Sequence, residues 1–206
     1  MAKSRPVAVW VAVLGWCAVA GWFAFVRSVR VPLLSLADLG FHELGHLIMY
    51  VIPINQVLTA AMGSIMQCAV PLGLAVYFAS FRRDRVAALA CLAWAATNFQ
   101  DVSVYIADAP TQALQLIGGE HDWAFALGPE GLDRLDQAAQ LASTVRGIGV
   151  LILLSAIVLA LSGLWASWTS TPAPSLDAAT RTSPDDLRPT ASRTRSSDPD
   201  HRSTRW

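Results

Sequence analysis

The chain has 206 residues, of which 54% are hydrophobic and only 15% are charged, and its formal net charge is zero at pH 7. This composition argues against an ordinary soluble domain and is typical of a protein with several membrane-spanning helices. The balanced charge gives no support to nucleic-acid binding.

Five apolar segments are long enough to cross a bilayer as helices, since a crossing needs about 20 residues. They run over 6–26, 32–52, 57–79, 86–108 and 147–168. The sequence therefore predicts an all-α, polytopic integral membrane helix bundle with about five transmembrane helices. The first segment is longer than the apolar part of a typical signal peptide, so we expect an uncleaved anchor.

Two polar regions complete the organisation. A loop covers 109–144, and its part from 132 to 144 has the pattern of an amphipathic helix at the membrane surface. Residues 169–206 are rich in Ser, Thr, Pro, Arg and Asp and contain few large apolar side chains, so they are expected to form a disordered tail. The chain thus divides into a membrane domain at 1–168 and a tail at 169–206.

Basic residues predict the orientation, because Lys and Arg concentrate on the cytoplasmic side of membrane proteins. With five alternating spans, most of the 15 Lys and Arg residues fall on the side of the tail. We therefore expect a protein of the plasma (inner) membrane of a bacterium, with a cytoplasmic tail and with the N-terminus and the 109–144 loop outside. Lys3 and Arg5, which precede the first span, oppose this orientation.

The second apolar segment contains His42, Glu43 and His46 in the sequence HELGH. Ionisable side chains inside a membrane span are costly and usually serve a function. Positions i and i+4 share one helical face, so both imidazoles can bind one zinc ion. Glu43 lies beside them, where it can take a proton from water that zinc activates. The alternative is a pair of core histidines that hydrogen-bond across helices, with Glu43 paired to one of them.

Asp38 lies four residues before His42 and on the same helical face. In that position it can orient the other ring nitrogen of His42, as carboxylates do for metal-bound histidines. The alternative is a carboxylate near a helix N-terminus, where the helix dipole stabilises it.

Polar residues of other spans are predicted at the depth of the two histidines. With a rise of ~1.5 Å per helical residue, Gln67 and Asn98 lie about 15 Å from the outer ends of their spans, and Asp101 about 10 Å. One face of the fourth span carries Asn98, Asp101, Tyr105 and Asp108. This face either lines a cleft, with Asp101 as a third metal ligand and Asn98 or Tyr105 on the substrate, or forms an interhelical hydrogen-bond seam.

The loop between the last two spans contains the sequence GGEHDW at 118–123. Glu120, His121 and Asp122 are possible zinc ligands, and the glycines before them give a flexible turn. If this loop folds back over the cleft, it completes the coordination sphere. His121 is the preferred third ligand, followed by Asp122 and then Asp101. The alternative is a surface loop with a conventional turn.

HELGH within a hydrophobic span, followed by spans with polar residues at matching depth, resembles the intramembrane zinc metalloproteases of the site-2 protease type over roughly 32–123. The resemblance implies that His42 and His46 bind zinc, that Glu43 is the general base, and that a peptide bond in or near the bilayer is hydrolysed. Those proteases usually take a third ligand from an Asn-x-x-Pro-x-x-x-x-Asp-Gly type sequence, which does not occur here.

The leading hypothesis is an integral membrane zinc metalloendopeptidase that acts on a peptide or a membrane protein and is surrounded by lipid. A second hypothesis is a membrane metal-binding or metal-sensing protein without catalysis. A third is an ion-coupled transporter that uses the buried carboxylates, although the sequence shows no internal repeat.

Overall fold

A computed structural model describes residues 5–52, 54–116 and 120–169, and every regular element within these ranges is helical. The helices are α1 (Val7–Gly21, continued by a π-helical turn, Trp22–Val26), α2 (Leu34–Val51), α3 (Gln56–Ser80), α4 (Arg85–Asp108), α5 (Asp122–Leu127) and α6 (Ala138–Thr169, preceded by a 3-10 turn, Leu135–Gln137). The all-α prediction is confirmed for these ranges. The predicted tail lies outside the described residues, except for Thr169, which ends α6.

Three helical stretches are long and apolar enough to cross a membrane. They are Val7–Val26, Gln56–Ser80 and Leu135–Thr169. The predicted number of five spans is therefore not confirmed. The two remaining long helices, α2 and α4, carry most of the polar side chains that the sequence placed inside the bundle.

The core of the bundle is built around α4. This helix packs along α6 and α3, and α1 contacts both α4 and α6. Many of its buried residues are alanines, which let the neighbouring helices approach closely. Asn98, Gln100 and Ser103 are buried on the same helix, so α4 brings polar groups into the centre of the molecule.

The N-terminal end of α1, the turn between α3 and α4, and the C-terminal end of α6 lie at the same end of the bundle. Arg5 Nη2 donates a hydrogen bond to Asp84 Oδ2 at 2.7 Å, and Ser167 Oγ donates to the backbone oxygen of Arg5 at 3.1 Å. The expected orientation placed the N-terminus and the end of the last span on opposite sides of the membrane. Because these contacts bring both regions to one end of the bundle, that expectation is not confirmed.

The reason is that α2 occupies only one half of the bundle. The π-helical turn that ends α1 lies next to α6 and α4, since a Cβ on Gly149 would be 3.3 Å from Phe25 and 2.9 Å from Phe99. The chain then bends over 27–33, with positive φ angles of 50° at Ser28 and 65° at Leu33. Beyond this bend, α2 runs in the same direction as α1, toward the end of the bundle at which α3 begins.

Two contacts give the depth of α2. Near its start, Asp38 accepts a hydrogen bond from the indole of Trp94 in the middle of α4. Near its end, His46 lies 2.9 Å from the backbone oxygen of Thr59, in the first turn of α3. Thus α2 begins at mid-depth and runs, antiparallel to α3, to the end of the bundle at which α3 begins.

Candidate metal centre

His42, His46 and Asp122 converge in one cluster. Asp122 Oδ2 lies 3.0 Å from Nε2 of His42 and 3.2 Å from Nε2 of His46, and the two Nε2 atoms are 3.1 Å apart. Tetrahedral zinc with ligand bonds near 2.0–2.1 Å holds its ligand atoms about 3.3 Å apart. The three atoms are therefore spaced as one face of a zinc tetrahedron within a few tenths of an ångström, and the group can hold a metal ion.

The partners of the Nδ1 atoms determine which ring nitrogens face the cluster. Nδ1 of His46 lies 2.9 Å from the backbone oxygen of Thr59, which can only accept, so Nδ1 carries the proton. Nδ1 of His42 lies 3.3 Å from Oε1 of Gln67. In each neutral imidazole, Nε2 is then left with a lone pair that points at Asp122.

The amide of Gln67 is itself held in one orientation. Its Nε2 donates to Asp101 Oδ2 at 3.0 Å and lies 3.4 Å from Asn98 Oδ1. Because a carboxylate only accepts, the nitrogen of the amide must face Asp101, and the oxygen must face His42. Asp101 also accepts from Arg30 Nε at 2.7 Å, so a chain of contacts runs from Arg30 to His42.

The cluster brings three acceptor atoms together. Two Nε2 lone pairs and a carboxylate oxygen within 3.2 Å of one another repel unless a positive centre lies among them. Within the described ranges, the two Nε2 atoms have no other hydrogen-bond partner. Either a proton on one imidazole or a bound cation therefore stabilises the arrangement.

Asp122 is the first residue of α5 and is held by Tyr105. The backbone nitrogen of Asp122 donates to the Tyr105 hydroxyl at 3.0 Å, and this hydroxyl lies 3.2 Å from Asp122 Oδ2. Burial alone raises the pKa of Asp122, but the imidazoles of His42 and His46, when they donate to the carboxylate and carry positive charge, outweigh burial and hold that pKa well below its ordinary value. Asp122 therefore stays an anion at neutral pH, as a metal ligand requires.

His121, which the sequence favoured as the third ligand, does not reach the histidine pair. Its Nδ1 accepts from the backbone nitrogen of Ala124 at 3.2 Å and so caps α5, while its Nε2 lies 3.4 Å from Asp108 Oδ2. Its ring stacks on Tyr105 with centroids 4.3 Å apart. The structure brings Asp122, the second choice from the sequence, to the histidines, and His121 positions the helix that carries it.

The other predicted site residues have different partners. Asp38 is bound to Trp94 and not to His42, whose Nδ1 is next to Gln67 instead. Asp101 accepts from Arg30 and Gln67 and is not part of the cluster.

Asp108 accepts from the Thr111 hydroxyl and from the backbone nitrogens of Ala113 and Leu114. It thus folds the start of the loop that leads to α5 and, together with His121, supports the helix from outside the cleft.

Gly63 is a site residue to which the sequence analysis gave no role. A Cβ at this position would lie 2.5 Å from His46 Nε2 and 2.6 Å from His42 Nε2. Only glycine leaves room for the two ring nitrogens. Gly63 lies four residues before Gln67 and therefore on the same face of α3. This spacing is the feature of the sequence from which its place beside the histidines could have been predicted.

A cleft of about 690 Å³ lies beside the cluster, between α2 and the segment that leads to α5. Its wall includes the three cluster residues together with Glu43, Tyr50, Tyr105, Gln115 and Glu120. The volume is in the usual range for ligand sites. Glu43 is exposed, so its carboxylate is available to a molecule in the cleft.

No protein-family model, no curated protein and no solved structure matches the chain. Its function is therefore inferred from the chemistry of the site.

Proposed function

We propose that the protein is an integral membrane zinc metallopeptidase in which His42, His46 and Asp122 bind the metal and Glu43 is the general base. One observation carries the proposal. The Nε2 atoms of His42 and His46 and a carboxylate oxygen of Asp122 face one another within 3.2 Å, at the wall of a cleft that also contains Glu43. Three protein ligands that leave one coordination position open are the pattern of catalytic zinc sites.

The donor set favours zinc over the other common divalent ions. Magnesium and calcium prefer oxygen ligands alone, whereas two imidazoles with one carboxylate suit zinc. A zinc ion bound there would supply a Lewis acid that polarises the scissile carbonyl group and acidifies water.

The chain's own residues would do the rest of the chemistry. Glu43 would accept the proton of the attacking water and then deliver it to the amine that leaves. Thr59 and Gln67 hold the imidazoles with Nε2 toward the metal position, and Tyr105 holds Asp122. These supports keep the ligands in place before a metal arrives, which lowers the cost of binding it.

In the membrane, we propose four crossings formed by α1, α3, α4 and α6, with α2 inserted from one side only. The fourth crossing, α4, is polar, but it packs along α3 and α6 and its polar side chains are buried between them. Such polar side chains are tolerated inside a bilayer when they face the bundle interior.

This arrangement also favours one orientation in the membrane. The end of the bundle that contains Arg5 and Asp84 also holds the basic turn between α3 and α4, and α6 ends there. Six arginines follow α6 in the sequence. Since Lys and Arg concentrate in the cytoplasm, that end is proposed to be cytoplasmic, and Lys3 and Arg5 no longer conflict with the rule. The cleft then opens in the outer half of the membrane, which in a bacterium is the periplasmic side of the inner membrane.

The test uses the purified full chain in detergent. We expect about one zinc ion per chain by elemental analysis, because one cluster of this kind is present in the described ranges. Glu43→Gln should retain the zinc and lose hydrolysis of a panel of fluorogenic peptides, whereas His46→Ala should lose both. Absence of stoichiometric zinc, or full activity of Glu43→Gln, would contradict the proposal.

A metal-binding or metal-sensing protein without catalysis is the second candidate, because the cluster is complete without Glu43. It predicts that zinc binds with the same dependence on His42, His46 and Asp122 while no peptide is hydrolysed. The comparison of Glu43→Gln with His46→Ala separates the two functions.

A further inference from the structure

A smaller chamber of about 190 Å³ adjoins the cleft, between the bend after α1, the face of α4 next to Asp101, and the segment at 114–116. Several residues line both spaces, so the chamber and the cleft are neighbours with a common wall. These shared residues are Arg30, Asp38, Asp101, Tyr105, Gln115 and Leu116.

Gln100 on α4 lines this chamber and is only 3% exposed. Neither its Oε1 nor its Nε2 makes a hydrogen bond with any residue that the structure describes. Gln67, a buried amide at a similar depth, uses both of its ends. Native proteins rarely leave both ends of a buried amide unpaired, so Gln100 needs a partner from outside the described chain.

The chamber restricts the chemistry of that partner. Its charged residues already have partners, since Arg30 pairs with Asp101 at 2.7 Å and Asp38 accepts from Trp94. A charged guest would have to disrupt that ion pair. The volume is also below the range of about 300–1,000 Å³ that is usual for a whole small ligand, and so fits a single side chain of a larger molecule.

We propose that the chamber is a specificity subsite for an asparagine or glutamine side chain of the peptide substrate. Gln100 Nε2 donates to the guest's carbonyl oxygen, and Gln100 Oε1 accepts from the guest's amide nitrogen. A carboxamide is the uncharged side-chain group that offers a separate donor and acceptor at the spacing of another carboxamide. This inference rests on the proposed peptidase function, because the guest belongs to a peptide in the adjoining cleft.

The first test compares peptides that are identical except for Gln, norleucine or Glu at one position near the scissile bond. We expect the kcat/KM of the wild-type protein to be about tenfold higher for the Gln peptide than for the other two at one position. The difference should come mainly from a lower KM, because one or two neutral hydrogen bonds provide about this much binding energy. Gln100→Leu should abolish the preference, because leucine offers neither a donor nor an acceptor to the guest side chain. The control Gln140→Leu, at an exposed position of α6, should keep the preference.

The subsite proposal is wrong if Gln100→Leu keeps the preference for Gln. It is also wrong if the wild-type protein cleaves all three peptides equally. If no peptide is cleaved by the wild-type protein, the proposed function fails, and the binding test below decides on the subsite.

The second test does not depend on hydrolysis. Saturation-transfer NMR should detect N-acetylglutamine amide bound to the wild-type protein and to Gln140→Leu, but not to Gln100→Leu, and N-acetylnorleucine amide should bind weakly to all three. Without ligand, Gln100→Leu should unfold about 2–4 °C higher than the wild type, because it removes unpaired buried polar atoms at similar volume. A lower unfolding temperature together with unchanged binding would show that Gln100 is a structural residue paired by water.

Discussion

Nδ1 of His42 lies 3.3 Å from the side-chain oxygen of Gln67, and this contact leaves Nε2 of His42 to face Asp122. The side-chain amide of Gln67 thus determines which ring nitrogen of His42 is available to a metal ion. Loss of such a supporting contact typically lowers metal affinity about 10- to 100-fold.

Gln67→Leu should therefore weaken zinc binding about 10- to 100-fold while the protein stays folded, because leucine fills the space but offers no acceptor to His42. Competition with a fluorescent zinc chelator measures the effect. Gln140→Leu is the matched control and should bind zinc like the wild type. Equal affinities of Gln67→Leu and the wild type would show that Gln67 does not orient His42.

Gly63→Ala should reduce zinc affinity by roughly 100-fold or more, since its Cβ would occupy space next to both Nε2 atoms and force the imidazoles apart. The matched control is Gly73→Ala on the same helix, because a Cβ there meets nothing within 4 Å. Zinc titration and circular dichroism of the two variants check the prediction. It is wrong if Gly63→Ala binds zinc as tightly as Gly73→Ala.

Substitutions of two adjacent residues distinguish the proposed third ligand, Asp122, from the residue that caps α5, His121. Asp122→Asn should lower zinc affinity about 100-fold, because a neutral amide replaces the anionic ligand. His121→Asn should change it by less than about tenfold, because asparagine is a good N-cap for α5. The same titration measures both. The reverse order of the two effects would identify His121 as the ligand.

Zinc affinity should fall as the pH is lowered, with a limiting slope of about 100-fold per pH unit for two protons. Zinc binds neutral imidazoles, and two of them must lose protons, while imidazoles change charge between pH 5 and 8. Asp122, whose pKa is well below its ordinary value, is already ionised over this range and adds no third proton. Chelator competition at several pH values gives the slope. A limiting slope of three protons would contradict the ionised state of Asp122.

The four-crossing topology predicts which residues a membrane-impermeant maleimide reaches in intact spheroplasts. Glu130→Cys, an exposed position between α5 and α6, should be labelled from outside, and Arg82→Cys, an exposed position between α3 and α4, only after the membrane is opened. The reversed labelling pattern would place the cleft on the cytoplasmic side. Unsubstituted protein serves as the control for the native cysteines, two of which are buried.

The pair of candidate metal ligands in α2 could be predicted from the sequence because their relation is local. Any α-helix places His42 and His46 on one face, whatever surrounds it. The choice between His121 and Asp122 is different, since successive residues of a helix point about 100° apart. Which of them faces the pair depends on the residue at which α5 begins, and the capping contact of His121 with Ala124 determines that residue.

The predicted number of crossings is not confirmed, for a related reason. Residues 32–52 are apolar enough in sequence to be taken for a full span, and the bend over 27–33 that precedes them has no recognisable sequence signal. Its positive φ angles occur at Ser28 and Leu33 and not at glycine. Two contacts determine where the chain turns, those of Phe25 with Gly149 and of Asp38 with Trp94. Both join residues that are far apart in the sequence, so a hydropathy pattern cannot predict them.

The cluster joins two segments that are far apart in the chain, since α2 supplies two of its residues and α5 the third. A metal ion bound there would act as a cross-link between them, so part of the folding free energy would depend on the free zinc concentration. Zinc supply would then control how long the protein survives as well as its chemistry, because metal-free molecules would open between α2 and α5 more often and be degraded sooner.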